Sequence, residues 1–300
     1  MTALRSSLHH HGGRRLVLAP PMLWLLALTA IPALIILQFS ISQMEAVSVA
    51  RPWSFADGVL NLRIDFSKYL FLFSDPLYIS AYLSSVKYAL ISTMCCLLLG
   101  YPFAWFMARS PEHMRPLLLM AVMLPFWTSF LIRIYSWKGL LANNGVFNNL
   151  MIGLGIIQEP IAMLHTPFSL TLGMVYTYLP FMILPLYANL QKLDVRLLEA
   201  AADLGAPPWK AFWLVTVPLS KNGILAGSML VFIPSVGEYV IPELLGGPET
   251  LMIGRVLWDE FFGNNDWTMA SAVAVVMILL ILIPMALFNQ VQERDTGGQR

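Results

Sequence analysis

Six stretches of the sequence, at 16–41, 79–108, 117–137, 169–190, 223–245 and 268–289, are apolar for long enough to cross a bilayer. A hydrocarbon core of roughly 30 Å takes about 20 helical residues at about 1.5 Å each. Lipid offers no partner to a backbone N–H or C=O, so each stretch must satisfy its own by coiling into a helix. The chain is 58% hydrophobic and 12% charged with a mean hydropathy of +0.69, which excludes a soluble globular domain. The expected fold is therefore an all-α integral membrane protein with six transmembrane helices. Prolines fall inside every span, at Pro32, Pro102, Pro125, Pro180, Pro185, Pro234 and Pro284, and predict kinks whose freed carbonyls neighbouring helices satisfy.

Counting Lys and Arg on alternate sides gives 11 on the side of both termini and 6 on the other, with Lys87 inside the second span. That bias places both ends in the cytoplasm. The layout is then a cytoplasmic tail (1–15), a transmembrane domain (16–290) with a cytoplasmic loop at 191–222, and a cytoplasmic tail (291–300). The first run is too long for a signal peptide and reads as an uncleaved span. His9 to His11 have no acidic or Cys neighbour and read as an unstructured tail rather than a metal site. Adjacent Cys95 and Cys96 read as packing residues. Among the outer loops, 42–78 carries signals of amphipathic structure, and 138–168 holds an Asn143-Asn144-Gly145 turn followed by a short helix. The outer face has 10 acidic residues against 6 basic ones, an imbalance that positive-inside topology largely explains.

Only the loop at 191–222 has room to act on the inner side. Its residues 193–204 (LDVRLLEAAADL) are strong helix formers with Leu193, Leu197, Ala200, Ala201 and Leu204 on one stripe. Gly205 supplies a left-handed stop, and Pro207-Pro208 open a second helix over 209–217. Small side chains at Ala200 to Ala202 let a partner approach closely. Two readings stand: a knob seated in a partner's groove, or a passive connector.

Glu199-Ala200-Ala201, then Gly205, then Val217-Pro218, resembles the EAA loop of type I ABC importer permeases, with Val where Leu is usual before the proline. Segments GYPFAWFMAR (100–109), LLANNGVFNNL (140–150) and FIPSVGEYVIPELLGGPETLMIG (232–254) are similar to the spermidine/putrescine branch, and to the first of its two permeases. The resemblance covers residues 66–300. It implies the type I permease fold in the bacterial inner membrane, with Glu199, Ala200, Ala201, Gly205 and Pro218 forming the element that docks on an ATPase. It implies further partners: a second permease, two ATP-binding subunits that hold ATP and Mg, and a solute-binding protein. Related branches that move other solutes share much of this pattern.

No P-loop is present, since Gly205 to Lys210 lacks the second glycine and the hydroxyl residue, and no HExxH, CxxC pair or nucleophile elbow appears. The chain is thus read as a permease without its own ATPase site, needing no cofactor. Glu238 falls inside the fifth span beside Gly237, bracketed by Pro234 and Pro242, and an ionised carboxylate there must face protein or water. A polyamine is a chain of ammonium groups, which carboxylates and aromatic faces pass from one to the next. Glu238, Tyr239, Glu243, Trp258 and Asp259 are the candidate pathway residues. The competing reading pairs Glu238 with Lys87 or Arg133 as a structural lock. A competing function is an ion-coupled carrier or channel using Glu238, Lys87 and Arg133 as a relay. Against it, the spans show no inverted repeat, and the 191–222 loop is left unexplained.

Overall fold

The computed structural model describes the backbone of residues 2–45, 48–50, 52–56 and 59–297, with the side chains of 2–16, 54–56, 59–62 and 287–297 left undescribed. The side chains of His9 to His11, and the charges at Arg5, Arg14, Arg15, Arg51, Asp57, Arg294 and Arg300 counted above, lie outside the described residues. The chain divides into two units, Met1–Phe73 with Glu260–Val276, and Ser74–Asp259 with Met277–Arg300.

The first unit opens with α1 (Thr2–Ser40), a single helix of 39 residues. The expected unstructured tail at 1–15 is corrected: from Thr2 onward its backbone is helical and runs through Gly12 and Gly13 into the apolar stretch. The 42–78 loop forms two antiparallel hairpins, β1 (Met44–Glu45) with β2 (Ser48–Val49) and β3 (Trp53–Ala56) with β4 (Val59–Leu62), then α2 (Ser67–Ser74). Asp65 and Lys68 clamp the start of α2. The Lys68 ammonium donates to Ser42 O at 2.6 Å and lies 3.4 Å from Asp65, which also accepts the Ser67 N–H at 2.9 Å.

The second unit is built on α3 (Pro76–Arg109), α4 (Arg115–Met123), α5 (Phe130–Leu141), α6 (Val146–Gly153), α7 (Pro167–Leu190), α8 (Arg196–Asp203), α9 (Pro208–Ala211), α10 (Val217–Leu219), α11 (Lys221–Val236), α12 (Val240–Leu245) and α13 (Ile253–Trp258). The last helix, α14 (Trp267–Gly297), starts on an Asp266 cap that accepts the Met269 N–H at 2.8 Å. Helices α3, α7 and α11 pack on one another around Met107, Met174, Met182, Leu186 and Val231. Between apolar helices in lipid the attraction comes from close packing, so small residues line these contacts. Met182 of α7 sits between Gly100 of α3 and Gly227 of α11, where an added Cβ would come within 3.2 and 2.7 Å of it.

Among the described residues four helices are long and apolar enough to cross a membrane, and the number rises to six where each of two bent pairs is taken as one span. The first bend interrupts a span expected to be continuous, the second lies at Ser220 ahead of the expected span at 223–245, and that span is broken farther on. The span at 117–137 is broken: Arg115–Trp127 and Phe130–Gly153 meet at 85°. Pro125 tightens the chain into a 3₁₀ turn at Leu124–Trp127, and Thr128 and Ser129 are extended. The span at 223–245 ends as a helix at Val236, and Gly237 to Tyr239 separate it from α12. The Pro242 ring, lacking an N–H, sits in the first turn of α12 instead of kinking a longer helix.

Candidate functional site

Two places collect the candidate residues. The first is the loop that joins α7 to α11. Helix α8 ends in a double-bonded cap: the Gly205 N–H donates to Ala202 O at 2.8 Å and the Ala206 N–H to Ala201 O at 3.0 Å, with Gly205 at φ +79°. Pro207, extended, and Pro208, at the first helical position, open α9, which runs through a π turn (Phe212–Thr216) into α10. On the elbow Glu199, Ala200 and Pro218 are exposed and Ala201 is half-buried, while Phe212 and Val217 pack against the bundle. Leu204 is 89% exposed and Trp209 64%, large apolar side chains left mostly open. The expected helix at 193–204 is shorter, because Asp194 accepts the Arg196 N–H at 3.0 Å and starts the coil there. A bend of 67° separates Pro208–Leu219 from Lys221–Val236, and at it the hydroxyls of Tyr101 and Ser220 are hydrogen-bonded at 2.7 Å.

The second place is the break after α11. Freed from a helix, Glu238 accepts two hydrogen bonds: one from the Tyr178 hydroxyl of α7, and one from the Val240 N–H at 3.1 Å. Neither Lys87 nor Arg133, the partners weighed from sequence, forms an ion pair with it among the described residues. Lys87 lies over the Tyr88 ring and Arg133 over the rings of Phe126 and Phe130. The backbone of the break is pressed against α13. A Cβ on Gly254 would stand 2.5 Å from Glu238 O and 2.6 Å from Gly237 O, so only glycine fits there. Buried hydroxyls hold the segment to the bundle: Ser85 of α3 accepts the Ile253 N–H at 2.7 Å, and Ser169 of α7 donates to Leu245 O at 2.7 Å.

Helices α12 and α13 are zipped by two side-chain pairs. The rings of Tyr239 and Trp258 stack with centroids 4.3 Å apart, 13° from parallel. Arg255 Nε lies 2.8 Å from Glu243 Oε2, each side chain about a third exposed. Glu243 and Asp259 both stand close enough to the Tyr239 phenol to act on it electrostatically. Of the five pathway residues named from sequence, Tyr239, Glu243, Trp258 and Asp259 thus form one cluster, while Glu238 faces Tyr178 at the other side of the break. Arg255 and Tyr178 escaped sequence reasoning; the i,i+3 spacing of Arg255 and Trp258 on a short helix was the available signal for the first. The second had none, since nothing local in α7 marks Tyr178 among its neighbours.

Helices long and apolar enough to cross a membrane, a two-helix elbow on one connection, and a break beside carboxylates and stacked aromatic rings fit the membrane subunit of a transporter. The chain belongs to the family of binding-protein-dependent transport system inner membrane components, whose profile matches residues 16–296, and is a multi-pass inner-membrane permease of an ABC importer. It is similar to the spermidine/putrescine transport system permease protein PotB of Salmonella typhimurium, 46% identical over 213 residues, 70% of this chain and 74% of the relative. The PotB of Haemophilus influenzae is 41% identical over 264 residues, 87% and 88% of the two chains. A solved bacterial ABC transporter involved in the import of alginate shares the fold, with a TM-score of 0.65 over 96% of this chain and 99% of that one, at 20% identity.

Proposed function

We propose that the chain is the first of two related permeases in an importer that moves a polyamine, putrescine or spermidine, by alternating access. The observation that carries the substrate class is the Tyr239–Trp258 stack beside Glu243 and Asp259, with Glu238 across the break. Flat aromatic faces and spaced carboxylates suit a flexible chain of ammonium groups, which each group releases as readily as it binds. Similarity to two polyamine permeases supports the same class. In this reading Glu199, Ala200, Ala201, Gly205 and Pro218 shape the elbow that seats in an ATPase subunit. Two such subunits bind ATP and Mg and supply the work, and a solute-binding protein delivers the polyamine to the outer mouth.

The test is ATPase stimulation of the reconstituted importer by a panel of solutes presented with the binding protein. Putrescine or spermidine is expected to stimulate hydrolysis, and stimulation only by an uncharged or anionic solute overturns the substrate class. An assembly in which the elbow touches no ATPase subunit overturns the docking role.

A further inference from the structure

Two cavities meet at the joint between α3 and the arm formed by α9 and α10. One, of 650 Å³, is a groove along Met94, Leu98 and Pro102 of α3, closed on its far side by Phe212, Trp213 and Ile224. The other, of 390 Å³, is lined by Trp105, Ala202, Phe212 and Thr216. Phe212 borders both.

The two differ in character. Apart from the Tyr101 hydroxyl, which Ser220 takes, the groove presents carbon and sulfur with the edge of one indole. The smaller cleft holds a buried polar atom without a partner, Thr216 Oγ1, on a residue 1% exposed. Trp105, its wall, carries the Arg109 guanidinium at 4.3 Å from its ring centroid, and Arg109 Nη2 is likewise buried without an acceptor. An orphaned buried donor is costly, so two, one in the cleft that Trp105 walls and one on the Trp105 ring, mark a missing acceptor.

We infer that this joint is a binding site for an anionic phospholipid, with its phosphate held between Arg109 and Thr216 and an acyl chain lying in the groove along residues 94–102. Depth supports the assignment. From Met94 to Trp105 α3 rises about 16 Å, half of a hydrocarbon core of roughly 30 Å. The apolar groove lies toward the middle of the span and the cationic cleft at its end, the order in which one leaflet presents tail and headgroup. Charge agrees as well: Arg109 ends α3, and Lys210 lies over the Trp209 ring on α9. The inference is independent of which solute is carried, because neither cavity touches the break after α11. A lipid here would wedge the elbow's arm against α3 and so tune how the elbow transmits motion.

The assembled importer carrying the full chain, exchanged into detergent micelles holding equal phosphatidylglycerol and phosphatidylcholine, is expected to keep phosphatidylglycerol in native mass spectra at roughly tenfold preference. Arg109→Gln is expected to lower that retention roughly tenfold. Leu98→Trp fills the groove from a position 74% exposed, so the fold tolerates it, and is expected to lower retention as much. Millimolar inorganic phosphate should leave the lipid in place. Unchanged retention in both variants overturns the site, and displacement by phosphate reduces it to an anion site without a tail. Capture of another permease chain, instead of lipid, by a photoreactive group at position 98 assigns the groove to a protein partner and overturns the inference.

Discussion

Glu238 and Glu243 are both occupied within the chain, but by donors of different strength. Tyr178 gives Glu238 a neutral hydroxyl, which leaves the carboxylate its charge, whereas Arg255 neutralises Glu243. In the polyamine reading proposed above, a passing ammonium would join Glu238 and have to displace the guanidinium at Glu243. Glu238→Gln is accordingly expected to lower putrescine uptake at sub-saturating concentration about tenfold, with the same yield of assembled importer. Loss of assembly in that variant would instead make the Tyr178 bond a structural lock. Arg255→Gln frees Glu243, and because the pair is partly exposed the half-saturating concentration is expected to fall only about threefold, with slower maximal uptake as release lags.

At the scale of elements, two short pieces set the behaviour of the long ones. The elbow turns at Gly205, where φ is +79° and open space surrounds the missing Cβ. A Gly205→Val substitution therefore meets backbone strain of about 1–2 kcal/mol rather than a clash, and is expected to abolish uptake while leaving the protein in the membrane, read by transport beside immunoblot. Gly254 is the opposite case, since its Cβ would strike two carbonyl oxygens; Gly254→Ala is expected to lower the thermal midpoint of the importer as well as uptake. The elbow was legible in the sequence because helix formers, glycine and paired prolines act locally: an EAA stretch, a left-handed stop and a Pro-Pro start leave little else to build. The breaks were not. Pro125 and Pro234 announce a disturbance, but a kink and a break differ only in what neighbouring helices supply, as when Ser85 and Ser169 pin 245–253 from far along the chain. The partners of Glu238 were hidden for the same reason, since Tyr178 is 60 residues away.

At the scale of the whole molecule, none of the most apolar window of α1 is buried. The unit that contains it is held at its loop by Asp65, whose carboxyl is kept below its ordinary value by the Ser67 hydroxyl and N–H, with Lys68 adding to them against burial. A depressed carboxylate contributes stability that is full above the unfolded value, about 4, and is lost as pH falls through the folded value beneath it. Asp65→Asn is thus expected to lower the thermal midpoint at neutral pH, with the gap to wild type closing only in acid. In the proposed docking role, Pro208–Leu219 and Lys221–Val236, set at 67°, would act as the two arms of a bell crank pivoting where Tyr101 is hydrogen-bonded to Ser220. With arms of about 18 and 24 Å, a stroke delivered near Trp209 would emerge near Glu238 turned in direction and enlarged by about a third. Such a linkage is only as good as its pivot pin. A slack one, as in Ser220→Gly, spins the motor without moving cargo, and hydrolysis that continues while uptake stops is its signature.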